Sequence, residues 1–273
     1  MTAVRVRYLL LSLFAIPWIV LPFWLLIINS VKSEGEAGVL SVGLPSSWHA
    51  ATNYATVVHQ GRYLTGLGNS LLIAVPSIVL VLGLGSMAAW AYARSPRRSL
   101  RLTYYLSVLS IVLPPAIIPT VYTLTQLGLN GSRIGYLLTV VGTRLGMVIF
   151  LCTGFVRTLP VDWEEAAQLD GAGRWQIYRR IVLPLLAPAL FTGAILLVIN
   201  VWNDFFFALF LLQGPGRATL PLTLYQFASS SAYGLRWNLV FAHVILTSLP
   251  LLVAYIIMQR RVLSGLTEGG TTG

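Results

Sequence analysis

Six long apolar runs, separated by short polar segments, set the pattern of this chain. They cover roughly residues 8–29, 67–92, 102–122, 134–156, 185–212 and 239–258. A helix needs about 20 apolar residues to cross a hydrocarbon core, and each run meets that length. The pattern therefore predicts an all-α integral membrane protein, one domain over 1–273 with six transmembrane helices. Arg5 and Arg7 precede the first run as they would in a secretory leader. The run is too long for a leader's apolar region and no A-x-A site follows, so an uncleaved first helix is expected. Pro17, Pro22, Pro76, Pro114, Pro115 and Pro119 fall inside runs, where each removes a helix hydrogen bond and predicts a kink.

The polar segments are unequal. Residues 30–66, with Gly43, Pro45, Trp48 and Tyr54, read as an ordered excursion containing short helices or turns. Residues 213–237 follow Gly214-Pro215-Gly216 with LPLTLYQFASSSAYGLRW, too rich in Leu, Tyr and Phe for a plain linker. That segment reads either as an interfacial helix or as a piece that returns towards a cavity or an external partner. The third, 159–184, is a charged island. It holds Asp162, Glu164, Glu165 and Asp170, half of the chain's eight acidic residues, in a sequence only 10% charged.

Composition narrows the class. A mean hydropathy of +0.78 with 56% hydrophobic residues excludes an ordinary soluble globule, whose surface could not be covered by so few polar groups. The net charge of +10 is spread over the short segments instead of gathered on one face, which argues for membrane topology over nucleic-acid binding. With the N-terminus in the cytoplasm, Arg5, Arg7, Arg94, Arg97, Arg98, Arg101, Arg157, Arg174, Arg179, Arg180, Arg260 and Arg261 lie inside, against Lys32, Arg62, Arg133, Arg217 and Arg236 outside. Twelve against five satisfies the positive-inside rule. Both termini and the island 159–184 are then cytoplasmic. The single cysteine, Cys152, allows no internal disulfide and reads as a small buried hydrophobe.

Within the island, Asp162 is placed to cap a short helix and Glu165, three residues on, to close a capping box. Gly171 is placed to end that helix, since glycine tolerates the left-handed conformation of a C-terminal stop. A second helical piece follows from Arg174 to about Val182, with Trp175, Tyr178 and Ile181 along one side. Ala166 and Ala167 beside Glu165 leave low relief against which another surface can approach. The arrangement is one for docking, with no catalytic dyad in it.

Glu165-Ala166-Ala167, three residues, Gly171, nine residues, Ile181, one residue and Leu183-Pro184 resembles the EAA motif of the inner-membrane permeases of binding-protein-dependent ABC importers. The string EEAAQLDGAGRWQIYRRIVLP is similar to the carbohydrate branch of maltose, glycerol-3-phosphate and arabinose-oligomer permeases. Asn69-Ser70-Leu71, Ala88 to Arg94, Leu127 to Asn130, Trp202-Asn203-Asp204-Phe205 and Gln259-Arg260-Arg261 with Gly265-Leu266-Thr267 extend the resemblance over most of the chain. Gly131 after Asn130 and Arg144 within the fourth run depart from it.

The resemblance implies a type I, MetI-like permease fold in which the island is the coupling helix. It assigns Glu165, Ala166, Ala167, Asp170, Gly171 and Ala172 to contact with an ATP-binding subunit, with Asp162, Ile181, Leu183 and Pro184 as support. It also implies the partners: a second permease subunit, different from this one, two ATP-binding subunits that carry ATP and Mg, and an extracytoplasmic substrate-binding protein. The chain itself is expected to hold no cofactor. Permeases for amino acids, peptides or glycerophosphate-type anions would share this loop, and an ion-coupled carrier would need no ATP at all.

Two absences bear on the energy source. A P-loop needs the lysine of G-x-x-x-x-G-K-[ST], and the only lysine, Lys32, follows Ile28-Asn29-Ser30-Val31. Ion-coupled carriers keep carboxylates within the membrane, and only Asp204 lies in an apolar run. Arg144 lies about ten residues into the fourth run from its outer end and Asp204 about eight into the fifth, at similar depth for a rise of about 1.5 Å per residue. Either Asp204 or backbone carbonyls neutralise Arg144, or Arg144 faces a pathway for an anionic or hydroxyl-rich substrate. Trp202, Asn203 and Phe205 beside Asp204 suit a sugar path, and equally an interfacial aromatic belt. His243 in the sixth run reads as a packing histidine with its polar atoms satisfied. His49 and His59 are too isolated for a metal site.

Overall fold

The computed structural model describes residues 2–113, 116–230 and 235–268, and all of its regular structure is helical. The helices are α1 (Thr2–Ser30), α2 (Glu34–Gly38), α3 (Ala50–Gln60), α4 (Tyr63–Arg94), α5 (Arg98–Val112), α6 (Ile117–Gln126) and α7 (Arg133–Thr158). There follow α8 (Asp162–Leu169), α9 (Arg174–Ile177), α10 (Leu183–Leu185), α11 (Ala187–Trp202), α12 (Phe206–Leu211), α13 (Leu220–Ser229) and α14 (Trp237–Glu268). Among the described residues, three stretches are single helices long and apolar enough to cross a membrane: α4, α7 and Trp237–Ile257 of α14. The 26 residues of α7 reach about 39 Å at a rise of about 1.5 Å per residue. Outward faces carry large apolar side chains, among them Leu72, Val75 and Val79 of α4 and Tyr255, Ile256 and Ile257 of α14, as lipid contact requires.

Two of the predicted spans are not single helices. The third run is divided between α5 and α6, with Pro114 and Pro115 outside the described residues. The fifth run is entered through a 72° bend between Arg174–Leu185 and Ala187–Trp202, and its helix breaks at 203–205 before α12. Pro184 and Pro188 bracket the first bend, where a proline has no N–H for the preceding turn. At the second, the Ile199 carbonyl accepts from both the Asn203 N–H at 3.3 Å and Asn203 Nδ2 at 2.8 Å, and the next N–H, of Asp204, donates to the Val201 carbonyl three residues back at 3.4 Å, the tightened bond of a helix end.

The chain forms two compact units. One comprises residues 1–67 and 219–250, the other 68–218 and 251–273. In the first, Lys32 is buried, its Nζ donating to Ser41 O and Oγ, both at 2.8 Å, and to Asn29 Oδ1 at 3.2 Å. Asn53 Nδ2 donates to the carbonyls of Ser30 and Lys32 at 2.9 Å, which fixes α3 to the end of α1. Residues 30–66 are thus ordered with short helices, as their sequence predicts.

The second unit is built on α7. Helices α5 and α11 pack along it, and α12 packs on α6 and α7. Contact with α5 is close: a Cβ added at Gly146 would overlap the Ser107 carbonyl oxygen, so only glycine permits this crossing. The core runs along the unit without interruption. Val81 and Ala89 of α4, Val148, Cys152 and Val156 of α7, and Leu197 of α11 join Ile177, Tyr178 and Val182 from the charged island.

Candidate functional site

The island folds as α8, a turn, α9, a π-helical turn over Tyr178–Val182, and α10. Residue Val161 is the N-cap of α8, with no side-chain cap bond, so Asp162 does not cap it and no capping box forms with Glu165. Asp162, Glu164 and Glu165 stand in the first turn, where carboxylates interact favourably with the helix dipole. The predicted stop is present. Gly171 has φ +82°, its N–H donates to Gln168 O at 3.0 Å, and Ala172 N–H donates to Ala167 O at 2.9 Å. These are the paired bonds of a Schellman end. Beyond it, α9 ends at Ile177 and the wider π turn carries the chain to Val182, so the piece predicted from Arg174 to Val182 is only partly α-helical.

Two faces result. Asp162, Trp163, Glu165, Ala166, Leu169 and Asp170 are exposed, Trp163 by 52% and Leu169 by 90%. Ala167, Ala172, Ile181 and Leu183 turn inward and pack on the core, while Pro184 and Gly171 are exposed. Tyr178 ties the underside to α4: its hydroxyl pairs with Ser86 Oγ at 2.7 Å, and its ring stands 5.8 Å from Trp90 and 5.5 Å from Trp175.

Glu164, which sequence reasoning passed over for its neighbour, is the anchor. It is 6% exposed. Arg94 Nε and Nη2 both reach Oε1 at 2.9 Å, Trp90 Nε1 donates to Oε2 at 2.8 Å, and Arg94 Nη2 also donates to the Leu159 carbonyl at 3.0 Å. Both carboxylate oxygens are engaged, so the end of α4 and the start of α8 are joined by a charge-assisted network. The signal for it in the sequence is a tryptophan and an arginine four residues apart, Trp90 and Arg94, at the end of an apolar run.

A second polar site lies within the helices. Arg144, Asn200, Asn203, Asp204, Phe205 and Phe206 line a cavity of about 400 Å³. Of the alternatives open for Arg144, the ion pair with Asp204 is not made. Asp204 accepts instead from the Tyr136 hydroxyl at 2.5 Å, and among the described residues the one ion pair within 4.0 Å is Arg94 with Glu164. Tyr136, buried at 1% exposure, was not singled out from sequence. Asn200 and Asn203 each donate Nδ2 to the carbonyl one turn back, at 2.8 Å. Their amide oxygens are left as the remaining acceptors. Trp202 is buried and does not line the cavity. The set combines one guanidinium, amide and carboxylate acceptors and two phenyl rings, groups that complement hydroxyls and the apolar face of a sugar ring.

Farther along the same unit, Asn69 works as a bracket. Its Nδ2 donates to the Gly216 and Ala218 carbonyls at 2.9 Å, and its Oδ1 accepts from Arg133 Nε at 3.0 Å. In the other unit His243 is buried between the Tyr63 and Phe227 rings, at 6.4 and 5.8 Å. It is a packing residue, but neither ring nitrogen has a hydrogen-bond partner among the described residues, so its polar atoms are not satisfied as expected. Among the described residues no three His, Cys, Asp or Glu side chains are grouped to hold a metal.

Residues 68–264 match the family described as "Binding-protein-dependent transport system inner membrane component". The chain is 32% identical over 269 residues to the diacetylchitobiose uptake system permease protein of Streptomyces coelicolor, covering 97% of this chain and 87% of that one. It is 32% identical over 223 residues to the trehalose transport system permease protein of Mycobacterium tuberculosis, covering 81% of each. A third relative is the melibiose, raffinose and stachyose import permease protein of Bacillus subtilis, 28% identical over 258 residues, with 93% and 91% covered. In fold it is similar to a chain of a bacterial ABC transporter involved in import of the acidic polysaccharide alginate. That likeness has a TM-score of 0.81 at 24% identity and covers 94% of this chain and 95% of the other.

Proposed function

The chain belongs to the inner-membrane components of binding-protein-dependent transport systems, and we propose that it is one of two permease subunits of an ATP-driven importer of carbohydrate. The observation that carries the substrate class is likeness over nearly the whole chain to permeases named for diacetylchitobiose, trehalose and melibiose-type sugars. A second permease chain, two ATP-binding subunits holding ATP and Mg, and an extracytoplasmic binding protein complete the assembly. Both termini and α8 face the cytoplasm.

In mechanism, the exposed face of α8, with Glu165, Ala166 and Asp170, seats in the ATP-binding subunit. Glu165 and Asp170 supply charge at that contact, and Gly171 with Ala172 ends the helix so that α9 can turn back to the membrane. Closure of the ATP-binding pair displaces α8. The Glu164–Arg94 network transmits that displacement to α4, and the Ile177, Tyr178 and Val182 packing transmits it to α7 and α11. Asp162, Ile181, Leu183 and Pro184 hold the element in shape. Sugar passes the cavity of Arg144, Asn203, Asp204 and Phe205, whose donors and acceptors replace water at its hydroxyls.

The test is uptake of a panel of radiolabelled neutral and acidic oligosaccharides into vesicles holding the full complex, with binding protein outside and ATP inside. ATP-dependent accumulation of a sugar supports the reading. Accumulation only of amino acids, peptides or glycerophosphates, or uptake that needs an ion gradient and no ATP, rejects it.

A further inference from the structure

Arg144 lies near the middle of α7, which runs from Arg133 to Thr158. It is half-buried and borders the cavity of about 400 Å³. Among the described residues its guanidinium makes no hydrogen bond, and no carboxylate stands within 4.0 Å of it. A guanidinium at that depth is costly against hydrocarbon. Asn200 and Asn203 line the same cavity, so the polar face they share with Arg144 suits the wall of a water-filled path and not a lipid surface.

The groups around the cavity ask for two kinds of partner. Asn200 and Asn203 each give an amide N–H to the carbonyl one turn back, at 2.8 Å, and their oxygens remain as acceptors. Asp204 is a third acceptor, and its Oδ2 takes the Tyr136 hydroxyl at 2.5 Å. Sugar hydroxyls donate to oxygens of this kind. The Arg144 guanidinium needs the opposite, because it presents five N–H donors in a planar fork and carries a full charge. A hydroxyl of a neutral sugar accepts weakly there and brings no countercharge. A carboxylate accepts two parallel N–H bonds, each about twice as strong as a neutral one.

We infer that Arg144 is a specificity-determining residue and that the sugar this permease carries bears a carboxylate. The acid group pairs with the Arg144 fork, ring hydroxyls donate to Asn200, Asn203 and Asp204, and the apolar ring face lies on the Phe205 or Phe206 ring. Asp204 stands beyond 4.0 Å from the guanidinium and is engaged by Tyr136, so the fork has no contacting anion within this chain. That selectivity rests on the cavity being the sugar path, as proposed above.

The experiment measures uptake into vesicles holding the full complex, with binding protein outside and ATP inside, for a panel of neutral oligosaccharides each matched with its uronic acid. The readout is the ratio of kcat/KM for the acidic member over the neutral one. Wild type is expected to favour the acidic member. The binding protein is common to wild type and variant, so its own selectivity cancels when their ratios are compared. Arg144→Gln should lower the ratio about thirtyfold, the worth of hydrogen bonds to a charged group, through loss of acidic uptake. Arg144→Lys, which keeps the charge without the fork, should lower it less. A wild-type preference for the neutral member, or a ratio unchanged in Arg144→Gln, overturns the inference and leaves the sugar reading standing. Loss of the second permease subunit from purified Arg144→Gln, with retention in Arg144→Lys, also overturns it and gives the guanidinium to a carboxylate of that subunit. ATP-dependent uptake of no pair in the panel removes the sugar reading and this selectivity with it.

Discussion

Glu164→Ala isolates the contribution of the anchor beneath α8. The substitution removes both acceptors of a network that is closed on the protein side: Arg94 keeps only the Leu159 carbonyl at 3.0 Å, and the Trp90 N–H loses its partner. An exposed ion pair would contribute at most about 1 kcal/mol, whereas deleting one member of a buried pair costs about 3–5 kcal/mol because the other charge is left uncompensated. The Glu164 and Arg94 side chains are 8% and 20% exposed. Arg94 retains some water and one carbonyl, so the lower end applies, about 3 kcal/mol. The loss is local, since the core of α7 and α11 does not depend on it. Hydrogen exchange of the purified complex should therefore show α8 amides losing about a hundredfold in protection, the equivalent of about 3 kcal/mol of local opening, with α7 amides unchanged. Glu164→Gln, which keeps an acceptor for Trp90, should lose less. Protection within about fivefold of wild type in Glu164→Ala would refute the assignment of Glu164 as anchor.

Other perturbations test separate parts of the account. Gly146→Ala places a methyl against the Ser107 carbonyl and should cost about 1–3 kcal/mol by overpacking, read as a lower thermal midpoint of the complex. Gly171→Ala forces a side chain into φ +82° and should cost about 1–2 kcal/mol, seen as fraying of the last turn of α8 in hydrogen exchange, with Gly171→Asn milder. Tyr136→Phe removes the donor to Asp204 and should destabilise by about 1–3 kcal/mol; a midpoint unchanged from wild type would show that Asp204 is solvated from the cavity instead.

The helical class could be read from run length alone, because a lipid solvent leaves little freedom in how backbone polar groups are satisfied. The stop at Gly171 was legible for a similar reason, a left-handed residue at a fixed distance from the helix start. The second break of the fifth run was not, since residues 203–205 lie within one run by length, and the helix ends there in a backbone bond from the Asp204 N–H to the Val201 carbonyl that no pattern of apolar positions specifies. Choosing between Glu164 and Glu165 was likewise beyond pattern. Adjacent helical residues point about 100° apart, and which of them turns inward is decided by Arg94, seventy residues upstream. The Tyr136–Asp204 bond spans sixty-eight residues, and nothing in the local pattern singles out Tyr136 as the partner of Asp204.

The central claim is that α8 carries the drive of a separate ATPase into these helices. Its most direct measurement is sugar accumulated per ATP hydrolysed in vesicles containing the full complex and its binding protein, with wild type against Glu165→Lys, a charge reversal on the exposed face that leaves the Glu164 anchor in place. Wild type should accumulate sugar only with ATP, and Glu165→Lys should insert and assemble normally yet lose most of that accumulation per ATP. Equal accumulation per ATP in the two proteins, or accumulation without ATP in either, would contradict it.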